Sequence, residues 1–265
     1  FDENEFMVFG SGAAQEMHRR WFESHLEKFN LKYKNRSDEF HGLGIAGPKS
    51  RDLLQKVVRE NVSNESFKFR DSRKMFVAGV PAIINRISFT GELGYEIYVA
   101  PHFQLKLYEE LTKAGEEFNI KPFGGRALMS MRLEKNWGAW TLDYRPDFTA
   151  KETGLDVFIN WNKDFIGKDS AQKDESKNKL VPLIVETNDI DVTYNEAVLK
   201  GDKSIGYITS GGFAHFVNKS VAFSYLNQNE LKSEKGIQVE INGDFFNCSI
   251  IKEPLYDPTG QKMRS

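Results

Sequence analysis

The apolar residues in the first two thirds of the chain follow helical spacing in some segments and strand-like spacing in others. Between Ala14 and Phe29 they recur every three or four positions, which predicts an amphipathic helix with Ser11 as its N-cap. Strands are predicted where apolar and polar residues alternate or where short apolar runs end at turn residues. The remaining predicted elements are strands within 6–9, 40–47, 76–89 and 95–100 and helices within 48–58, 102–115 and 125–137.

The pattern changes after residues 168–179, which are polar, lysine-rich and almost free of large apolar side chains. Beyond them the chain consists of short strand-like runs separated by turn residues, and Asn242-Gly243 is a preferred pair for a two-residue hairpin. We therefore predict an α+β fold, with a mixed α and β domain over residues 1–170 and a small β-barrel or sandwich over residues 178–265.

Composition narrows the function classes. The 265 residues are 40% hydrophobic and carry a formal net charge of -2, which describes a globular chain without a strongly basic surface for nucleic acid or anionic membranes. No apolar run approaches the ~18 residues needed to span a bilayer. Cys248 is the single cysteine, which excludes a disulfide framework or a cysteine zinc cluster. A small molecule or another protein is the expected partner.

The start of the chain lacks an initiator methionine, and the strand-like run at 6–9 requires a pairing partner. We therefore expect the chain to be a fragment of a longer polypeptide, with the N-terminal part of its fold truncated.

Gly42, Gly44 and Gly47 satisfy the pattern G-x-G-x-x-G of dinucleotide-binding sites. The match lacks the second strand with an acidic residue that the nucleotide site requires, which favours an ordinary junction between a strand and a helix. The five histidines form no close ligand pair, and we predict no metal site.

The predicted hairpin at 83–99 places a carboxylate at an unusual position. Alternation along a strand directs Tyr95, Ile97 and Val99 to one face and Glu96 and Tyr98 to the other. A carboxylate beside an aromatic ring suits a flat heterocycle, because the carboxylate accepts two parallel N–H bonds from an amidine-like edge. The alternative is a solvent-facing glutamate that pairs with a lysine, and the alternation alone supports both interpretations.

Residues 132–158 form a second candidate region. Trp137, Trp140, Tyr144 and other aromatic residues are dense there and are interleaved with arginines and acids. The segment is either a long connection pinned to the core by its aromatic side chains or the wall of an aromatic-lined pocket, and the two interpretations are compatible.

Six blocks of sequence indicate a known family. The blocks are GIAGPKSRDLLQKV (44–57), ISFTGELGYEIYV (87–99), ALMSMRLEKNWGAW (127–140), TAKETGLDVF (149–158), DFIGKDSA (164–171) and GYITSGGFAHFVNKSVAFSYL (206–226). They follow one family's order over nearly the whole chain, which through them resembles the aminomethyltransferase (glycine cleavage T-protein) family. The resemblance is greater to the folate-binding C-terminal half of dimethylglycine and sarcosine dehydrogenases. It implies a mixed-sheet folate-binding domain followed by a small C-terminal β-barrel.

The resemblance implies that Glu96 binds the pterin edge of tetrahydrofolate, with Ile97 and Tyr98 along the same wall. Phe89 occupies a position that commonly contacts folate as tyrosine, so the hydroxyl contact is missing here. The position of Val157 is aromatic in some relatives, which leaves stacking to other side chains. The two aromatic side chains to which the resemblance assigns that stacking are Phe158 and Trp140.

Two departures refine the resemblance. T-proteins carry an Arg-Asp pair where this sequence has Leu128 and Met129, which favours the dehydrogenase-linked branch over a true glycine cleavage enzyme. The family's essential aspartate is expected in a segment that precedes residue 1, so no catalytic residue is assigned. The lysine-glycine-cysteine motif of the related iron-sulfur assembly proteins is absent from the sequence.

The implied reaction captures a one-carbon unit. An upstream flavin domain, with FAD belonging to that domain and not to this chain, oxidises an N-methyl amine, and tetrahydrofolate bound here takes up the iminium or formaldehyde-level carbon as 5,10-methylenetetrahydrofolate. The alternatives are a stand-alone aminomethyl- or methyltransferase and a non-catalytic folate-binding module. The resemblance implies a cytoplasmic location in bacteria and the mitochondrial matrix in eukaryotes.

Overall fold

A computed structural model of the protein describes residues 3–187 and 189–265. Its contacts divide the chain into two compact units. The first consists of the described part of Phe1–Ile45 with Lys49–Arg86 and Tyr95–Ile120. The second consists of Ala46–Pro48, Ile87–Gly94 and the described part of Lys121–Ser265.

The regular elements alternate in the first half and are mostly strands in the second. The α-helices are α1 (Gln15–Leu26), α2 (Ser50–Val57), α3 (Gln104–Gly115), α4 (Gly125–Glu134), α5 (Ala150–Thr153), α6 (Lys168–Gln172) and α7 (Gln261–Arg264). The strands are β1 (His41–Ala46), β2 (Ser72–Val77), β3 (Val80–Asn85), β4 (Gly94–Val99), β5 (Asn178–Val185), β6 (Ala197–Lys200), β7 (Lys203–Ala214), β8 (Lys219–Asn227), β9 (Ile237–Ile241) and β10 (Asp244–Ile250).

The first unit is built around a four-stranded sheet in the order β1-β4-β3-β2. β2 and β3 form an antiparallel hairpin, and its two turn residues, Ala78 and Gly79, have φ values of 49° and 78°. β3 and β4 are also antiparallel, with Asn85 opposite Glu96. The sequence forms strands here because β3 and β4 are rich in β-branched and aromatic residues.

The core of this unit lies where two amphipathic helices, α2 and α3, pack together. Leu54 and Leu107 are fully buried, one from each helix. Ile84 and Ile97 come from the paired strands β3 and β4 and are equally buried. These buried residues occupy positions at which apolar side chains recur with helical spacing in α2 and α3 and with strand-like spacing in β3 and β4.

The second unit contains a closed antiparallel barrel with strand order β10-β5-β8-β7-β6-β9. Its interior is filled by aliphatic side chains, including Leu183, Val198 and Val239, which are each 0% exposed. β9 and β10 are joined through Asn242 and Gly243, whose φ values of 55° and 92° match a two-residue hairpin turn. The predicted hairpin is therefore confirmed.

The predicted fold class is confirmed: the chain is α+β, with a four-stranded sheet and a C-terminal six-stranded barrel. The polar stretch 168–179 contains the short helix α6 before β5 begins at Asn178. The boundary between domains 1–170 and 178–265, and the truncation of the N-terminal part, stay predictions.

One predicted strand does not form within the described chain. Residues 6–9 have no strand pairing within the described chain, and Phe6 and Val8 are 80% and 70% exposed. A strand needs a neighbour for its backbone N–H and C=O groups, and the described sheet contains only β1 to β4. The predicted helix forms as α1, but Ser11 precedes a 3₁₀ turn at Gly12–Ala14 and its side chain makes no capping bond. α1 has no buried residue among those described, and Trp21 is 61% exposed.

Among the described residues, no helix combines the length and apolar character needed to cross a membrane. In the same part of the chain, no group of three or more His, Cys, Asp or Glu side chains is arranged to hold a metal ion. The absence of a structural metal stays a prediction.

Candidate functional site

The alternation predicted for β4 is present in the structure. Tyr95, Ile97 and Val99 are at most 1% exposed, whereas Glu96 and Tyr98 lie on the opposite face and are half-buried. Since residues two apart in a strand share a face, the carboxylate and the phenol lie next to each other. This pairing is the candidate site of the first unit.

The Tyr98 hydroxyl donates a hydrogen bond of 2.6 Å to Glu96 Oε2. Burial, followed by the bond to Glu96, raises the pKa of the Tyr98 phenol, so it stays protonated and acts as a donor at neutral pH. None of the ion pairs formed by the described residues includes Glu96. Because each carboxylate oxygen has two lone pairs, the carboxylate retains capacity for further donors.

Two other residues contact the Tyr98 ring. The Phe9 ring lies 4.9 Å from it, centroid to centroid. On the neighbouring strand β1, a Cβ atom placed on Gly42 would lie 2.9 Å from Tyr98 Cε1. The motif that contains Gly42 continues from β1 through a turn at Gly47 into α2, as expected for a strand-to-helix junction.

Ile97 occupies a different position from its neighbours. Its side chain is 0% exposed and belongs to the core face of β4. A molecule on the Glu96 face therefore cannot contact that side chain, and any contact with Ile97 would use its main chain. The sequence alternation already placed Ile97 in the core, and this placement limits the role that the resemblance implies.

The other predicted contact residues belong to the second unit. Phe89 is half-buried in the loop before β4. Trp140 is 50% exposed and makes an edge contact with Tyr144 at 6.1 Å. Val157 and Phe158 share one turn of 3₁₀-helix and are each 77% exposed. Their contact with a folate stays a prediction.

A buried acid that the sequence did not single out organises residues 132–158. Asp143 is 0% exposed and receives hydrogen bonds from Arg132 at 2.7 Å and from Ser210 at 2.6 Å. Thr209 also donates to it. The register of β7 against β8 shifts between Ile208 and Ser210, and this bulge lets two consecutive hydroxyls reach one carboxylate.

The segment is also held by aromatic side chains. The Phe148 ring stacks on Tyr225 with centroids 3.4 Å apart and planes at 12°. Tyr225 in turn donates to the backbone carbonyl of Asp143 at 2.7 Å. The segment is therefore a connection pinned to the core, as one of the two compatible interpretations predicted, and a buried carboxylate holds it together with the rings. An acid next to Tyr144 and downstream of Arg132 was the available signal in the sequence.

Each unit also has a cleft, and that of the second unit reaches the Asp143 partners Arg132, Thr209 and Ser210. In the second unit, a cleft of about 710 Å³ is lined by α4 residues between 125 and 132, by residues 209–213 of β7 and by residues 191–194, together with Leu142 and His215. In the first unit, a cleft of about 530 Å³ is lined by residues 56–60 and by the β2–β3 turn. As far as the described residues define them, neither cleft includes any of the predicted folate contacts.

Comparisons with known proteins agree with this architecture. The sequence model of the GCVT N-terminal domain matches residues 1–163, and that of the glycine cleavage T-protein C-terminal barrel domain matches residues 178–257. The fold resembles the crystal structure of the glycine cleavage system aminomethyltransferase T from Bartonella henselae, with a TM-score of 0.79 at 20% identity over 94% of this chain and 68% of that chain.

The curated relatives are named either dimethylglycine dehydrogenase or aminomethyltransferase. Human mitochondrial dimethylglycine dehydrogenase is 36% identical over 270 residues, which cover 98% of this chain and 31% of that protein. An aminomethyltransferase of Thermoanaerobacter pseudethanolicus is 27% identical over 267 residues, which cover 99% of this chain and 72% of that protein. The chain thus spans about a third of the dehydrogenase. The chain belongs to the aminomethyltransferase (glycine cleavage T-protein) family, since a model of that family matches more than half of it.

Proposed function

We propose that the chain is the tetrahydrofolate-binding one-carbon transfer module of a dimethylglycine or sarcosine dehydrogenase-like protein. Support comes from membership of the T-protein family and from the identity of 36% to human dimethylglycine dehydrogenase. Leu128 and Met129, which replace the Arg-Asp pair of T-proteins, favour the dehydrogenase-linked branch over a glycine cleavage enzyme.

The observation that supports this proposal most directly is the Glu96 carboxylate on the face of β4 opposite the core. A pterin presents an amidine-like edge with two parallel N–H donors, and a carboxylate accepts both in a bidentate arrangement. The Tyr98 bond of 2.6 Å orients Oε2 without exhausting its lone pairs. Glu96 is half-buried, so the bonds form where water competes less than at an open surface.

The chain's contribution to the reaction is to bind and orient. When bound, tetrahydrofolate supplies the nucleophilic nitrogens that capture an iminium or formaldehyde-level carbon as 5,10-methylenetetrahydrofolate. Such a carbon is already electrophilic, so holding the nucleophile in the right place contributes more than proton transfer. We assign no catalytic acid or base to the described residues. Phe89, Trp140, Val157 and Phe158 are proposed further contacts of the folate.

The proposed partners follow from the same reaction. The substrates are a reduced folate and a one-carbon unit derived from an amine, and the carbon is produced by a flavin domain of the same polypeptide. FAD would belong to that domain. The proposed location is the mitochondrial matrix in a eukaryote and the cytoplasm in a bacterium.

The test is calorimetric titration of tetrahydrofolate into the chain under anaerobic conditions. We expect binding, and we expect Glu96→Gln to weaken it by roughly tenfold or more, because a neutral amide loses the charge-assisted bidentate bonds. Glu109→Gln is the matched control, since Glu109 is an exposed acid on α3 of the same unit. Equal affinities for the wild type and Glu96→Gln would remove Glu96 from the pterin site.

A second candidate is a stand-alone aminomethyl- or methyltransferase. The aminomethyltransferase relative, of which the chain covers 72%, favours it. The sequence of the complete gene separates the two candidates, because a flavin-binding fingerprint in the same polypeptide excludes a stand-alone enzyme. A third candidate is a non-catalytic module with a folate site that supports no turnover. It is distinguished by folate binding without any product formation in the full-length protein.

A further inference from the structure

We propose that Gly42 and Tyr98 are positioning residues for Glu96. In this proposal the absence of a side chain at Gly42 leaves room for the Tyr98 ring, which places its hydroxyl on the Glu96 carboxylate. The inference rests on the proposed function only in taking Glu96 as the group that binds the pterin edge. The positioning itself is a property of the first unit.

The Tyr98 hydroxyl is hydrogen-bonded to the Glu96 carboxylate. Both side chains project from the same face of β4 because they are two residues apart. The O–O distance of 2.6 Å is typical of a hydroxyl donating to a charged carboxylate. Tyr98 therefore fixes one oxygen of the carboxylate and, with it, the plane in which the remaining lone pairs point.

The Tyr98 ring lies against Gly42 of the neighbouring strand β1. A Cβ atom on Gly42 would lie 2.9 Å from Tyr98 Cε1 and 3.1 Å from Cδ1. Gly42 does not have a positive φ, so its backbone does not require glycine. Gly44 lies two residues further along the same face of β1, and a Cβ atom there would meet no atom of the described residues within 4 Å. The requirement for glycine at position 42 therefore comes from the Tyr98 ring.

The Tyr98 ring has little room to move away from Gly42. Tyr98 also packs against Phe9, with ring centroids 4.9 Å apart. An alanine at position 42 would need the separation from Cε1 to increase from 2.9 Å to at least 3.4 Å, the start of ordinary contact, so the ring would move by about 0.5 Å. A movement of that size lengthens or misaligns a hydrogen bond of 2.6 Å. The carboxylate then loses its fixed orientation.

The contact with Tyr98 also explains the first glycine of the motif G-x-G-x-x-G. The effect of Gly42 on ligand binding is indirect: it acts on Tyr98, and Tyr98 acts on Glu96. A substitution at Gly42 should therefore behave as a partial loss of Tyr98, and it should have no effect where Glu96 has already been neutralised.

A measurement without folate tests the positioning. Protein labelled with ¹³C at the ζ carbon of tyrosine gives one NMR resonance for each tyrosine, and the loss of one signal in Tyr98→Phe assigns Tyr98. We expect the Tyr98 resonance to move in Glu96→Gln and in Gly42→Ala and to stay in place in Gly44→Ala. A resonance that does not respond to Gly42→Ala overturns the proposal, whether or not the protein binds folate.

A double-mutant cycle with tetrahydrofolate tests the consequence for binding. We expect Gly42→Ala and Tyr98→Phe each to weaken binding by up to about tenfold, and the double variant to be no weaker than Tyr98→Phe. In protein that already carries Glu96→Gln, Gly42→Ala should weaken tetrahydrofolate binding no further. Gly44→Ala should bind tetrahydrofolate like the wild type. Additive losses overturn the proposal. If the wild type binds no folate, the proposed function fails, and the NMR measurement still decides the positioning.

A variant that does not fold is also informative. If Gly42→Ala is unfolded by circular dichroism, the smaller side chain of Tyr98→Leu should restore folding to the double variant by removing the ring. Persistent unfolding of Gly42→Ala with Tyr98→Leu contradicts the contact on which the proposal rests.

Discussion

The Arg132 guanidinium and the Asp143 carboxylate form an ion pair that is almost completely removed from solvent, with Nη1 and Oδ2 2.7 Å apart and side-chain exposures of 1% and 0%. The pair joins α4 to residues 137–148, since Arg132 also donates to the carbonyl of Trp137 at 3.0 Å. Asp143 accepts a further bond from the backbone N–H of Ala139 at 2.8 Å. A carboxylate with so many donors ties the segment that carries Trp140 to the barrel strand β7.

Replacing Asp143 with alanine should lower the free energy of unfolding by about 3–5 kcal/mol, because Arg132 would remain buried and charged without its partner. Urea unfolding followed by circular dichroism measures the change. Asp164→Ala is the control, since Asp164 is fully exposed and its pair with Lys168 lies at the surface, where such pairs contribute about 0–1 kcal/mol. A loss for Asp143→Ala no larger than that of the control would contradict a structural role for the buried pair.

The loop before β4 depends on Gly91. Its φ is 88°, and an added Cβ atom would lie 2.6 Å from Cγ and Cδ of Lys135, a residue that is only 3% exposed. Gly91→Ala should therefore destabilise the protein by more than backbone strain alone. Gly154→Ala isolates the strain, because Gly154 has a φ of 73° and a Cβ atom there would meet no described atom within 4 Å.

We expect Gly154→Ala to cost about 1–2 kcal/mol in unfolding free energy and Gly91→Ala to cost clearly more. Both values come from denaturant titrations of the two variants beside the wild type. If the two costs are equal, the packing of Lys135 against the loop makes no contribution.

Cys248 should make stability depend on alkaline pH. Burial raises the pKa of its thiol from 9.0 to about 12. The folded state therefore holds its proton over a range in which the unfolded chain has lost it, so the stabilisation is complete below pH 9 and disappears as the pH rises towards 12. The wild type should lose more unfolding free energy between pH 9 and pH 11 than Cys248→Ala does. Parallel curves for the two proteins would contradict the expectation.

Trp140 provides an optical signal for folate binding. It is 50% exposed, and the resemblance implies that it or Phe158 stacks on the ligand. We expect tetrahydrofolate to quench tryptophan emission in the wild type, and Trp140→Phe to lose most of that quenching. Affinity should fall by about three- to tenfold, the usual contribution of one aromatic stack.

The control for this experiment is Trp161→Phe. Trp161 is 37% exposed, packs against Phe165 and is not a predicted folate contact. If Trp161→Phe removes the quenching and Trp140→Phe does not, Trp140 is not at the folate site. Phe158→Ala, measured by calorimetry, then decides whether Phe158 provides the stack.

Local sequence patterns predicted those elements in which buried residues recur at a regular spacing along the chain. The alternation in β4 placed Tyr95 and Ile97 in the core and Glu96 and Tyr98 on the other face, as observed. Asn242-Gly243 predicted its hairpin because both positions adopt positive φ. Residues 6–9 form no strand within the described chain, because a strand requires a partner strand and none of the described strands pairs with them.

By itself, the sequence determined the order of helices and strands, the run of short strands at the C-terminal end and the face of β4 that carries Glu96, because each depends on neighbours in the chain. Closure of those strands into a barrel depends on the pairing of β10 with β5, which are distant in sequence. Tertiary structure decided that Asp143 is a buried anchor and that Gly42 faces Tyr98. These residues meet partners that are distant in sequence: Asp143 bonds Thr209 and Ser210, and Gly42 contacts a ring 56 positions away (98 − 42). Their roles follow from strand order and a register shift, which no local pattern specifies.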